Sequence, residues 1–415
     1  MTKNNEGLRS VKQYSAGCLG YDMFKRFSLV FLIVIIFMSP AHGHDEFSGS
    51  SKQIGGDGYW SYEGQATNDL ISESLDVHLP SSAIFSLDEL RLKQSLDGLL
   101  KKASSEEIVY FPTTNGEMIR FRVKEKSNFS PVLAAKFPDI KAYRGFSTDH
   151  PEITMYFSNS SQGLEAVLID ASSNVRTAIS KVPKTGNKYI AYTELDRSRA
   201  REALSCSTPE PPSASSKFKA SSHSQVNLAG QMSRLTKFSD ERALSTYRLA
   251  VAVNGQYTVF HGGTKQLALA AINNTLTGLN FIFETDLGIK LELIDNNDEI
   301  VYLDSDTDPF EDTIDSNTNA VLQSTIDSVI GSSNYDIGHL FSGTGGGGNA
   351  GAIGSVCSAS TKGSAWSASG SPRGNSFVNL VAHEMGHQIG ANHTFSYTSE
   401  GTGVNVEPAS GSTIM

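Results

Sequence analysis

Three histidines and one glutamate stand at spacings that can hold a metal ion and use it, in His383-Glu384-Met385-Gly386-His387-Gln388-Ile389-Gly390-Ala391-Asn392-His393. Phe377, Leu380, Val381 and Ile389 recur near helical spacing, with Asn375 or Ser376 as the expected N-cap. On such a helix His383 and His387 are i and i+4, so two imidazoles converge on one ion from one face. Glu384 lies about 100° further round, turned away from direct ligation yet able to reach a water on the metal, which is the place of a general base. A continuous helix would carry His393 about 15 Å along its axis, against a Zn–N distance near ~2 Å. The helix must therefore break, and Gly390 supplies the break because a residue without Cβ tolerates φ > 0.

Three imidazoles leave the fourth tetrahedral position to water, the mark of a catalytic zinc site rather than a closed structural one. Zinc brings the pKa of that water toward ~7 and polarises a scissile carbonyl, and Glu384 would pass the water's proton to the leaving amine. The competing reading is a non-catalytic zinc-binding adhesion or inhibitor module that retains the three histidines. Glu384 discriminates, since a module that only binds metal needs no base there.

These residues carry a family resemblance. The pattern from His383 to His393 resembles the metzincin zinc signature, and Ser410-Gly411-Ser412-Thr413-Ile414-Met415 resembles the approach to the Met-turn that underlies the metal in those enzymes. Ala350-Gly351-Ala352-Ile353-Gly354-Ser355-Val356-Cys357 is similar to the edge strand of the reprolysin (adamalysin) branch. The likeness spans Thr246 to Met415 and is greatest to bacterial reprolysin-like peptidases, including the His393-Thr394-Phe395 that follows the third ligand. It implies a zinc metalloendopeptidase with an α/β (α+β) metzincin-like catalytic domain, built on a twisted mixed sheet and an active-site helix. Met415 would lie beneath the metal, and Ala350, Gly351, Ala352, Ile353 and Gly354 would accept a peptide substrate as an added strand. Thr394 departs from the Asp usual in animal reprolysins. Because metzincins continue past the Met-turn, a longer precursor is expected, with Cys357 paired to a cysteine beyond Met415. In related zymogens a propeptide cysteine takes the fourth zinc position. Cys206 is the candidate for that switch, although Leu204-Ser205-Cys206-Ser207-Thr208 lacks the familiar flanking residues, and an inert or disulfide-bonded cysteine is the other reading.

Several elements must position this site. Tyr247 to Val253, Ile289 to Ile294 and Tyr335 to Phe341 read as strands, alternating with helices over Thr264 to Thr285, ended by Gly288, and over Asn317 to Val329. Such alternation indicates an α/β layer. Upstream, Glu107 to Phe111 and Met118 to Val123 flank the turn at Asn115-Gly116, and Ile153 to Phe157 and Leu164 to Ile169 flank Ser160 to Gly163, which predicts a mainly β propeptide domain with one helix over Leu87 to Lys101. The division is a signal peptide over 1–43, the propeptide over 44–205, a Ser/Pro/Lys linker over 206–243 and the catalytic domain over 244–415. Lys217, Lys219, Arg234, Lys237 and Arg242 in the linker offer sites to an activating protease.

Lys25 and Arg26, the apolar run Phe27 to Met38 and the small residues of Ala41-His42-Gly43 form a signal-peptide pattern, with Met23 as the expected start. The run is shorter than the roughly 20 residues that span a bilayer, so a secreted, extracellular or periplasmic protein without a stable membrane anchor is expected. A net charge of -10 without a basic cluster argues against nucleic acid. With three cysteines, and Cys18 ahead of the mature product, no disulfide framework exists. Gly343 to Gly348 reads as a flexible loop, lacking the Lys-Ser/Thr ending of a phosphate loop. Asp304, Asp306 and Asp308, with Glu311, Asp312 and Asp315, offer oxygen ligands for Ca2+, but Pro309 excludes an EF-hand and a solvated acidic loop is favoured. His261 and His339 have no partner at ligand spacing and read as structural.

Overall fold

The computed structural model describes residues 58–66, 82–98, 107–173, 175–183, 185–194, 205–209, 244–393 and 414–415. Segment 1–43, expected as a signal peptide, with Cys18 and Met23, the linker residues Lys217, Lys219, Arg234, Lys237 and Arg242, and Thr394, Phe395 and Ser410 to Thr413 lie outside the described residues.

The N-terminal part is a nine-stranded sheet of β1 (Trp60–Gln65), β2 (Ser82–Leu87), β3 (Glu107–Pro112), β4 (Met118–Glu125), β5 (Lys141–Ser147), β6 (Ile153–Ser160), β7 (Gly163–Asp170), β8 (Val175–Lys181) and β9 (Lys188–Glu194), in the order β1-β2-β9-β8-β7-β6-β5-β4-β3. Every neighbouring pair is antiparallel. Gly116, at φ 92, turns the chain from β3 into β4, as a residue without Cβ can. Alternate residues turn Phe85, Phe111, Phe121, Phe157 and Tyr189 to one face, where they form an aromatic core with Trp60. Helix α1 (Glu89–Asp97) adds Leu92 and Leu96 to it. This helix begins two residues after the expected Leu87, and Leu99 to Lys101 of the expected helix lie outside the described residues. Leu87 ends β2, the Asp88 side chain accepts from the Arg91 N–H as N-cap, and Leu90 is 75% exposed.

The second sheet contains β10 (Ser245–Val253), β11 (Ile289–Leu293), β12 (Ile337–Ser342), β13 (Gly346–Asn349) and β14 (Ala365–Ser369), in the order β11-β10-β12-β14-β13. All neighbours are parallel except β13 and β14. Around it lie α2 (Pro131–Lys136), α3 (Gly255–Phe260), α4 (Lys265–Asp286), α5 (Ser316–Val329) and α6 (Gly374–Ile389). This is the mixed α/β layer expected. The glycine run differs from its expectation: Gly346 to Gly348 belong to a strand, although glycine has no β-propensity, and at Gly347 and Gly348 Ser205 and Glu384 approach too closely for a Cβ.

Helix α4 starts at Thr264, whose Oγ1 accepts from the Leu267 N–H, and it is buried from Ala268 to Phe283 with few breaks. A helix apolar on every side must be covered on every side. Leu269, Ile272, Leu276 and Leu279 share a core with Leu249, Val251 and Leu291 of the five-stranded sheet, while Phe281 packs on Tyr156, Val167 and Ala178 of the nine-stranded sheet. The polar residues buried between the layers satisfy one another. Asn128 Nδ2 donates to Asn273 Oδ1 and Thr277 Oγ1 at 2.9 Å each, and Asn280 Nδ2 donates to Asn128 Oδ1 at 2.9 Å.

Both outer edges of the five-stranded sheet are paired with residues from the N-terminal part. At the β11 edge, Ser130 N–H donates to Leu293 O at 2.9 Å and Leu293 N–H donates to Asn128 O at 2.8 Å. At the β13 edge, Ser207 N–H donates to Gly348 O at 2.9 Å and Gly348 N–H donates to Ser205 O at 2.8 Å, a parallel bridge centred on Cys206. Exposed edges invite foreign strands, and these pairings cover both.

Candidate metal centre

Helix α6 carries His383, Glu384 and His387. Phe377, Leu380, Val381 and Met385 bury one stripe of it in the core with Leu249, Val251 and Leu279, each worth roughly 1.5–3 kcal/mol when fully buried. Val378 meets α4 at Gly278, where an added Cβ would lie 3.1 Å from the Val378 side chain. The helix begins earlier than expected: Arg373, rather than Asn375 or Ser376, is the N-cap, and it makes no side-chain cap bond. Gly390 closes α6 in the left-handed region, φ 116 and ψ 8, and its N–H donates to the Gly386 and His387 carbonyls. No atom crowds a Cβ at Gly390, so φ alone calls for glycine. This turn brings His393 back beside the helix.

The three imidazoles are buried, and their Nε2 atoms form a triangle with sides of 3.2 Å (His383 to His387), 3.0 Å (His383 to His393) and 3.0 Å (His387 to His393). His383 Nδ1 lies 2.7 Å from Ile414 O and His387 Nδ1 lies 2.7 Å from Ala391 O. A carbonyl only accepts, so both Nδ1 atoms carry the proton, and on neutral rings both Nε2 lone pairs point into the triangle. Facing lone pairs cannot share a hydrogen bond, and a cation between them resolves the conflict. Tetrahedral Zn–N bonds of about 2.0–2.1 Å place two nitrogens roughly 3.3–3.4 Å apart, close to the sides of this triangle. The donors and their spacing fit zinc.

Cys206 Sγ is 3.5 Å from His387 Nε2, and the four candidate ligand atoms lie within 4.8 Å of one another. A Zn–S bond of about 2.3 Å beside Zn–N at about 2.05 Å gives an S–N separation of roughly 3.5 Å in a tetrahedron. Burial, and after it the Glu384 charge, pushes the thiol up to about 12. A divalent cation on the imidazoles acts in the opposite sense, since a coordinating thiol is deprotonated.

Glu384 is fully buried beside this cluster. Its Oε2 accepts from Thr208 Oγ1 at 2.9 Å and from Cys206 Sγ at 3.8 Å, while Oε1 is buried without a hydrogen-bond partner. Burial pushes the carboxyl up to about 7, and the bonds from Thr208 and Cys206 oppose that rise.

Met415 lies under the helix, where a Cβ on Gly386 would stand 2.7 Å from its Sδ. Gly386 is thus a site residue that the motif spacing alone did not single out, as is Gly348, where a Cβ would run into the Glu384 carboxyl group. Ala350, Gly351, Ala352, Ile353 and Gly354, expected as the edge strand, form the bend and turn after it, and β13 at Gly346–Asn349 is the outer strand. The physical reason is that Gly351 and Gly354 adopt φ of 70 and 72, which ends strand pairing. Gly354 N–H instead donates to His387 O at 2.9 Å, tying this turn to α6.

His339 and His261 lie outside the ligand cluster. His339 is fully buried between Gln388 Oε1 at 3.0 Å and Ser367 Oγ at 2.9 Å, and burial holds it down at about 4. Gln388 Nε2 donates to Gly338 O at 3.1 Å, so this pair pins α6 to β12. His261 Nε2 meets Pro372 O at 3.2 Å. Asp308 accepts from the Gly255 and Phe310 N–H groups, Asp304 from the Asp306 N–H and Asp315 caps α5, so these carboxylates are engaged locally. Among the described residues, Cys206, His383, His387 and His393 are the grouping with ligand spacing. Cys357 is exposed, with φ 61.

A helix that presents two imidazoles one turn apart, breaks, and returns a third beside a buried carboxylate has donors grouped closely enough to hold one metal ion. Residues 243–415 match the model of metallo-peptidase family M12B, reprolysin-like, so that span is similar to the peptidase domains of that family. Peptidases of that family depend on zinc and act on proteins or peptides. No curated protein matches the chain. Among the described residues no helix is long and apolar enough to cross a membrane.

Proposed function

We propose that the chain is the latent precursor of a secreted zinc-dependent endopeptidase, with His383, His387 and His393 as zinc ligands and Glu384 as general base. The observation that carries this reading is the convergence of three imidazole Nε2 atoms beside the buried Glu384, in a segment that matches a family of zinc peptidases. Zinc held there supplies Lewis acidity toward a peptide carbonyl and acidifies water. Glu384 would accept a proton at a carboxylate oxygen and return it to the departing amine, a task suited to a group raised to about 7 by burial. The outer edge of β13 would hold an extended substrate through main-chain hydrogen bonds, which favours broad backbone recognition.

Latency would come from Cys206, whose sulfur sits at tetrahedral spacing from His387 and would fill the position water needs. In this reading 44–205 is the propeptide, cleavage in 206–243 frees Cys206, and Phe27 to Met38 directs export. The test is hydrolysis of a quenched fluorescent protein substrate by the zinc-loaded protein cleaved within 206–243, with and without chelator and beside Glu384→Gln. Turnover that needs both zinc and Glu384 supports the proposal. One zinc bound per chain without turnover, even in Cys206→Ala, replaces it with a zinc-binding module.

A further inference from the structure

We propose that Thr208 is a second latch of the latent state, separate from Cys206, which ties the N-terminal segment to the general base and to the edge of the substrate cleft at once. The inference rests on the latent-peptidase reading above. Residues 205–209 are extended, so side chains alternate: Cys206 and Thr208 turn inward, while Ser205, Ser207 and Pro209 are exposed. A two-residue spacing therefore places one side chain on the imidazoles and the next on Glu384. Thr208 is buried, and its hydroxyl is used in both senses: Oγ1 accepts from the Ala350 N–H at 2.8 Å and donates to Glu384 Oε2 at 2.9 Å.

The rest of the segment is built to hold that hydroxyl in place. Ser205 O and Ser207 N–H pair with Gly348 in parallel, and Asn349 Nδ2 donates to Ser207 O at 2.9 Å and to Ser207 Oγ at 3.1 Å. Pro209 has no N–H and ends the ladder directly after Thr208. Glycine at 347 and 348 lets both partners approach, because a Cβ at Gly347 would strike Ser205 O and one at Gly348 would strike Glu384. Thr208 makes the shorter of the two hydrogen bonds on Glu384 Oε2, and it fixes the carboxylate through a bond that does not involve the imidazoles. Cys206 Sγ reaches the same Oε2 only at 3.8 Å, so loss of the thiol alone leaves the base engaged by the shorter Thr208 bond.

The experiment is hydrogen–deuterium exchange on the full chain, in zinc-loaded and metal-free forms, read at the Ala350 amide with Phe157 in the nine-stranded sheet as internal reference. Wild type is compared with Thr208→Val, which keeps the shape without the hydroxyl, and Thr208→Ser, which restores it. The expected result is exchange at Ala350 at least about tenfold faster in Thr208→Val, near wild type in Thr208→Ser, and unchanged at Phe157, with or without zinc. Unchanged exchange at Ala350 in Thr208→Val overturns the proposal, as does Thr208→Ser behaving like Thr208→Val. Equal acceleration at Phe157 also overturns it, since Thr208 would then support the fold at large. The readout needs no turnover, so a failure of the peptidase reading is distinguished from a failure of the latch.

Discussion

Gly348 and Glu384 face each other so closely that a methyl group added to Gly348 would overlap the Glu384 carboxyl. Relief would come by moving the carboxylate or by moving β13 off β14. Gly348→Ala is expected to lower kcat/KM of the cleaved, zinc-loaded enzyme by about 10²-fold, while zinc still binds one per chain. Turnover measured beside metal content checks this, and wild-type turnover would show that the carboxylate does not act from this position.

Gly390 is held at φ 116 with open space around it. Gly390→Ala is expected to cost about 1–2 kcal/mol of stability from backbone strain alone. Because the same turn returns His393, zinc affinity should fall as well. Thermal melting and competition against a chromophoric chelator read the two effects separately, and a variant that loses stability while keeping zinc affinity would detach the turn from the ligand.

The buried His339 makes stability depend on pH in a definite direction. Its folded value of about 4 lies below the ordinary 6.5, so the folded state binds fewer protons between those values than the unfolded chain. The contribution is complete above pH 6.5 and declines as pH falls toward 4, by on the order of 3 kcal/mol. Burial of His261, also lowered to about 4, acts in the same sense. Urea midpoints from pH 7.5 to 4 should fall more steeply for wild type than for His339→Gln, the difference removing the titration of groups common to both. Parallel slopes would show that His339 is not held neutral.

Asn128 makes three side-chain bonds to Asn273, Thr277 and Asn280 of α4. Asn128→Ala would leave these groups buried with fewer partners, and a loss of about 2–3 kcal/mol is expected. Chemical denaturation measures it, and a change below 0.5 kcal/mol would mean that water replaces the amide.

The parts of this structure that were legible in the sequence are those with local causes. The strands at Glu107, Met118, Ile153 and Gly163 and the helix after Thr264 announce themselves by apolar period and by a turn or cap residue. The ligand triangle is likewise local, since helical spacing sets His383 and His387 and the glycine turn sets His393. What escaped has long-range causes. The Phe129 and Cys206 pairings depend on which edges the folded sheet leaves open, and no periodicity records that. β13 escaped because Gly347 and Gly348 lie against Ser205 and Glu384, neighbours that are remote in sequence, so the run reads as a loop. Thr208 looked like linker composition, and its role follows only from the distance to Glu384.

Helix α4 has no side that belongs to solvent over most of its length, with β5 and β6 against one face and β11 against another. Neither sheet can then melt without stripping the cover from the helix the other also needs, so heat should take both in a single calorimetric transition. The same sharing means that cutting the backbone between Pro209 and Leu244 divides the polypeptide without dividing its interior. The two pieces would sediment as one particle, and only the short stretch around Cys206 and Thr208 would gain the freedom to leave.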